Sequence, residues 1–161
     1  MASKPLFLGQ LIAIGGNEDK AGELVVLKRV VQEVGKTDYK VGVITTASEE
    51  PEPRGNEYRQ VFTTLGASSI EILNITTRVQ ANDRTLAKTL EDVDLIFLAG
   101  GDQLRLTTIV GGSKVLHAIQ NRLEAGALVA GTSAGAAVFS DTMIYDGKSE
   151  EGLFKGRVLT T

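Results

Sequence analysis

The chain has 161 residues, 42% of them apolar, and 17 lysines and arginines stand against 20 aspartates and glutamates, for a formal net charge of −3. That length holds one domain with a core and is short for two, and the charge offers no basic footprint for nucleic acid or anionic lipid. Cysteine is absent and histidine occurs once, at His117, which excludes disulfides, thiolate zinc sites and a cysteine nucleophile, and leaves no imidazole pair for a metal.

The N-terminal stretch MASKPLFLGQLIAIGG reads as a leader into a first strand rather than a signal peptide. No run of about 18 apolar residues suggests a membrane span, so a cytoplasmic protein without membrane contacts is expected.

Along the chain, short apolar runs alternate with amphipathic ones. Leu11 to Ile14 predicts a buried strand ending at Gly15-Gly16. Glu23 to Val34 follows as a helix, with Leu24, Leu27, Val30, Val31 and Val34 at helical spacing and Gly35 as its stop. Lys40 to Thr46 predicts the next strand and Glu57 to Leu65 the next helix, closed by Gly66. Ser69 to Ile75 is a third strand, Asp83 to Leu90 a helix, and Asp94 to Ala99 a fourth strand halted by Gly100-Gly101. Helical segments at Leu104 to Val110 and Val115 to Ala125 lead to a fifth strand, Ala127 to Ala130. The stretch from Asp141 to Thr161 is polar, glycine-rich and weakly patterned, and no closing strand or helix is expected in it.

Near-continuous apolar strands separated by helices imply a doubly wound α/β fold, a mostly parallel sheet sandwiched by helices. Ligands in such folds sit at the carboxyl ends of the strands. Four polar or glycine-rich clusters fall there, Gly15 to Asp19, Thr45 to Glu50, Gly100 to Gln103 and Gly131 to Gly135, and are expected to line one crevice.

Gly131-Thr132-Ser133-Ala134-Gly135 is a G-x-S-x-G between a strand and the small-residue segment Ala136-Ala137-Val138. A strand that turns directly into a helix pushes the turn residue's side chain out above the sheet, and close packing there demands small neighbours. Ser133 is the candidate nucleophile, with a tight turn capped by serine as the other reading. In Gly100-Gly101-Asp102-Gln103-Leu104-Arg105-Leu106 the two glycines let backbone approach a ligand, and Gln103 and Arg105 have the donors to read an amide or carboxylate. The same stretch also suits a plain turn with Asp102 capping a helix and Arg105 on a solvated face. Gly15-Gly16-Asn17-Glu18-Asp19-Lys20 matches neither phosphate-loop pattern. It suits a turn and helix cap, with Glu18 as a possible pocket residue, while His117 reads as a structural or solvated helix residue.

Together GGNEDK, GGDQLRL and GTSAGA, each after a strand, resemble the cyanophycinases, serine hydrolases that cleave the aspartate–arginine storage polymer. The resemblance implies a fold like that of class I glutamine amidotransferases and flavodoxin, and an acyl-enzyme route needing no metal or other cofactor. It further implies Ser133 as nucleophile, the amides of Ala134 and of Gly100 or Gly101 as oxyanion hole, and Gln103, with Arg105 and Glu18, as substrate contacts. Glu18, Asp19, Glu49 and Glu50 are the carboxylates available to a substrate guanidinium. The expected activity is exopeptidase release of β-Asp-Arg dipeptides. Action on aspartyl or isoaspartyl dipeptides and a catalytically silent binding module are the alternatives.

The family draws its histidine base and supporting carboxylate from sequence after the serine, yet residues 134–161 contain no histidine. Residues 1–161 are therefore expected to be the N-terminal portion of one hydrolytic domain, partnered by a second segment that carries those groups. A homo-oligomer is also expected.

Overall fold

The computed structural model describes residues 8–146 and 157–160. Five strands, β1 (Gln10–Ile14), β2 (Lys40–Ile44), β3 (Ser69–Leu73), β4 (Leu95–Leu98) and β5 (Leu128–Thr132), form one sheet in the order β1-β5-β4-β2-β3. Every pairing in it is parallel.

Alternation along the strands divides the core in two. Val41, Val43, Leu95, Phe97, Leu128 and Ala130 face helices α1 (Val25–Val34) and α2 (Pro51–Thr64). Ile44, Ile96, Leu98 and Val129 face the short helices α3 (Arg78–Ala81) and α4 (Arg84–Lys88), with α5 (Gln103–Val110) and α6 (Lys114–Glu124). The central strands are apolar on both sides because both sides are covered. The chain after β2 turns to α2 on one face, whereas the chain after β4 turns to α5 on the other. Adjacent loops that part in this way open a crevice at the carboxyl edge of the sheet.

The expected doubly wound fold is present, and three of the differences in detail bear on the site or on the chain's last segment. Helix α1 begins at Val25, not Glu23, because Leu24 is left-handed (φ 54°) and its amide is held by the Asp19 carboxylate. Helix α2 begins six residues earlier than Glu57, at Pro51. First-turn amides have no intrahelical acceptor, so prolines at 51 and 53 cost nothing there. The third difference overturns an expectation. Strands β6 (Thr142–Asp146) and β7 (Arg157–Thr160) pair antiparallel inside the stretch expected to lack a strand. Met143 of β6 is buried, so this hairpin has an inward side.

Candidate active site

Ser133 is the single residue between β5 and the short helix α7 (Ala134–Ala137). Its backbone lies at φ 52°, ψ −113°, a region that a side-chain-bearing residue enters at a cost of about 1–3 kcal/mol. The neighbouring glycines explain how the turn is made. A Cβ at Gly131 would stand 2.2 Å from the Gly135 carbonyl oxygen, and one at Gly135 would stand 2.2 Å from the Leu98 carbonyl oxygen. Strand, turn and helix thus pass at backbone contact, and Ser133 is lifted over the end of the sheet. As the first residue of α7, Ala134 has an N–H with no carbonyl one turn back to accept it.

Two other loops press on the serine. A Cβ on Gly16 would come within 3.1 Å of Ser133 Cβ, and one on Gly100 within 3.2 Å. Gly101 follows at φ 145°, where a side chain would run into the Ala47 carbonyl oxygen at 2.0 Å. The Asp102 amide donates to that same carbonyl at 2.8 Å. Its carboxylate caps α5 through the amides of Leu104 and Arg105.

A cavity of about 770 Å³ opens over Ser133. All four sequence clusters contribute to it, through Asn17 and Glu18, through Ser48 to Glu50, through Gly100 and Gly101, and through Thr132 and Ser133. Helix α2 adds Arg54, Glu57 and Tyr58, and Lys20 completes the wall. Glu57 and Arg54 are ion-paired at 2.5 Å.

Glu18 is 7% exposed and fully engaged. Tyr58 donates its hydroxyl to Oε1 and Thr132 donates to Oε2, both at 2.5 Å, and Lys20 Nζ lies 3.3 Å from Oε1. Burial acts to raise the Glu18 pKa, but the hydrogen bonds from Thr132 and Tyr58, its own backbone amide and the Lys20 charge outweigh it. The carboxyl is held below its ordinary value and is an anion. Burial, then the hydrogen bond to Glu18 and its charge, push the Tyr58 hydroxyl far upward, so it remains a donor.

Other candidates from the sequence lie elsewhere. Gln103 Nε2 donates to the Ile144 carbonyl at 3.0 Å, which fastens α5 to β6. Arg105 Nη1 donates to the Ser48 carbonyl at 2.8 Å, so it braces the cavity's rim from behind. His117 lines a separate groove between α4 and α6, beside Arg84, Lys88 and Arg122. Arg54 and Tyr58 were not among the expected site residues: the helix was expected to start at Glu57, beyond Arg54, and nothing in its sequence set Tyr58 apart. Among the described residues no group of three His, Cys, Asp or Glu side chains is placed to hold a metal, and no helix is long and apolar enough to cross a membrane.

Residues 11–156 match peptidase family S51. The chain belongs to that family. Over 149 residues the S51 chain is 35% identical to a cyanophycinase of Geminocystis herdmanii, covering 92% of this chain and 55% of the relative. It is 36% identical over 144 residues to a cyanophycinase of Synechococcus elongatus, covering 89% and 45%, and 38% identical over 142 residues to one of Trichormus variabilis, covering 88% and 48%. It therefore spans about half the length of the curated relatives it matches. Among solved structures, a peptidase from an acI-B1 actinobacterium superposes with a TM-score of 0.69 at 25% identity, over 84% of this chain and 58% of the other. A putative peptidase E protein of Listeria monocytogenes superposes with a TM-score of 0.61 at 21% identity, over 83% and 63%, and shares the fold.

Proposed function

We propose that this S51 chain carries the nucleophile half of a serine exopeptidase that releases β-Asp-Arg dipeptides from cyanophycin. The observation that carries the reading is the conformation of Ser133. A strained, side-chain-bearing residue between strand and helix, walled by glycines and opening into an acid-lined cavity, is the arrangement a nucleophile elbow requires.

In this mechanism Ser133 Oγ loses its proton to a general base and bonds to the carbonyl carbon of the scissile amide. The oxygen that gains charge is met by the amides of Ala134 and of Gly100 or Gly101. The carbon–nitrogen bond then breaks, the amine departs with the proton from the base, and water hydrolyses the ester on Ser133. A polymer unit brings both a guanidinium and a carboxylate. Glu49 and Glu50 at the cavity wall suit the first, and Arg54 suits the second.

The base is the missing part. His117 is the chain's single histidine and lies in the α4–α6 groove, so we assign the base and its supporting carboxylate to a second segment packed over the cavity. The test compares residues 1–161 alone with the same residues plus the downstream segment of an S51 relative, using a fluorophosphonate probe and cyanophycin. Labelling of Ser133 and dipeptide release that appear only with both segments bear the proposal out. Full activity of 1–161 alone refutes the base assignment, and preference for free aspartyl dipeptides over polymer refutes the substrate.

A further inference from the structure

Glu18 stands at the centre of the site but offers a substrate little. It is 7% exposed, and each carboxylate oxygen already accepts a hydroxyl proton at 2.5 Å. Those two hydroxyls belong to different layers of the fold. Thr132 is the last residue of β5 and precedes Ser133 directly, whereas Tyr58 lies on α2. Glu18 itself belongs to the loop after β1. One anion therefore ties together three segments of the fold.

Ser133 needs such a tie. A residue at φ 52° stays there only when its surroundings fix it from both sides. On the helix side, Gly135 packs against the Leu98 carbonyl. On the strand side, the Thr132 side chain is 3% exposed and held by Glu18. The Ser133 amide is held as well, by the Ile14 carbonyl at 2.9 Å, so releasing the Thr132 side chain would loosen the strand end that carries the serine and shift the direction of Oγ.

We propose that Glu18 is a positioning residue for Ser133, acting through Thr132 and anchored on Tyr58, rather than a substrate contact. The charges around it fit that role. Lys20 from its own loop neutralises it at 3.3 Å. On α2, Arg54 and Glu57 are paired with each other. The anion thus accepts hydroxyl donors without placing an uncompensated charge beside the nucleophile. This inference rests on Ser133 as nucleophile but not on the identity of the polymer, so it is read with a substrate-independent probe.

The experiment uses the complete active protein and measures the fluorophosphonate labelling rate of Ser133, kcat and KM, and melting temperature. In Glu18→Gln the carboxamide can accept from one hydroxyl and must turn an N–H toward the other. Labelling and kcat are expected to fall roughly ten- to a hundredfold with KM nearly unchanged, the scale of a small misplacement of a reacting group. Thr132→Val, which keeps the shape and removes only the hydroxyl, is expected to do the same. Thr132→Ser, which restores the hydroxyl, is expected to recover most of the rate. A Glu18→Gln protein that labels at the normal rate below its melting point, or that raises KM while holding kcat, overturns the proposal. If Glu18→Gln does not fold, the Thr132 pair decides: equal rates for valine and serine at 132 overturn it. A wild type that does not label at Ser133 removes the nucleophile reading and this inference together.

Discussion

The Ser133 amide donates to the Ile14 carbonyl at 2.9 Å, one rung past Ile14↔Thr132, the last paired position of β1 and β5. The sheet's own ladder thus reaches into the turn and grips the serine by its nitrogen. Beyond that nitrogen the chain reverses into α7, and the strain is concentrated in one residue. Stability and chemistry should therefore separate cleanly at Ser133.

Ser133→Gly is expected to raise stability by about 1 kcal/mol, because glycine occupies this part of dihedral space without a Cβ clash. Ser133→Ala keeps the Cβ and should leave stability close to wild type. Both should lose fluorophosphonate labelling completely. Denaturant unfolding of the three proteins checks the order, and a glycine variant less stable than alanine would contradict the strain.

Gly131→Ala and Gly135→Ala are expected to be severe. Each added methyl would meet a backbone oxygen at 2.2 Å, and backbone at the junction of β5, α7 and β4 has no side-chain freedom with which to yield. Overpacking of this kind costs typically 1–3 kcal/mol, and here it also moves Ser133. Loss of soluble protein or a drop of that size in unfolding free energy is the expected result. Gly66→Ala is a control for a glycine with open space around its Cβ, where only its φ of 88° opposes the change.

Arg105 supports the rim without lining the cavity. Arg105→Ala removes the hydrogen bond to the Ser48 carbonyl and should loosen the segment that carries Ser48, Glu49 and Glu50. KM is then expected to rise with kcat largely kept, since the Ser133 turn is untouched. Steady-state kinetics on the complete protein would show it; an unchanged KM with a reduced kcat would not fit.

His117→Ala should leave Ser133 labelling and turnover unchanged, because His117 belongs to the groove between α4 and α6. A large loss of labelling in a folded His117→Ala protein would return that imidazole to the candidates for base.

Asp19 gives a signature in acid. Its carboxylate accepts the amides of Gly22, Ala21 and Leu24, in that order of influence, and they hold its pKa down to about 2 from 3.8. A pKa depressed by folding contributes stability that is complete above the unfolded value and is lost as pH falls through the folded one. The window here runs from about 4 to about 2. Asp19→Asn should flatten the fall in stability across that window, measured by chemical unfolding at successive pH values. Parallel curves for the two proteins would argue against the assignment.

The strands were legible because each is a short apolar run between more polar or glycine-bearing stretches, and Leu11 to Ile14 and Lys40 to Thr46 lie within two residues of the observed bounds. The four clusters could be foreseen as one crevice because parallel topology sends every strand's carboxyl end to the same edge. Prolines at 51 and 53 masked the start of α2, although the first turn is where a helix tolerates them. Thr77 to Gln80 carries a capping box, a local signal for α3 that was present and went unread. The pairing of β6 and β7 was not foreseen, since ten residues of sequence, 147–156, separate the two strands and no short alternating hairpin pattern marks them. Least legible of all was the Glu18 network, whose partners stand 40 and 114 positions away.

That last separation also governs when the site can come into being. In β1, Gln10 finds its partner at Leu128, so β1 lacks the strand it pairs with in this sheet until β5 has been synthesised. At roughly 5–20 residues per second on a ribosome, the wait lasts about 6 to 24 seconds. Through that interval β2, β3 and β4 can pair among themselves, while Ile14 lacks its strand partner and Glu18 lacks Thr132. Closure of the sheet and assembly of the serine turn then become one event. Variants that slow the docking of β1 should accumulate a partly built protein with a formed centre and no reactive serine.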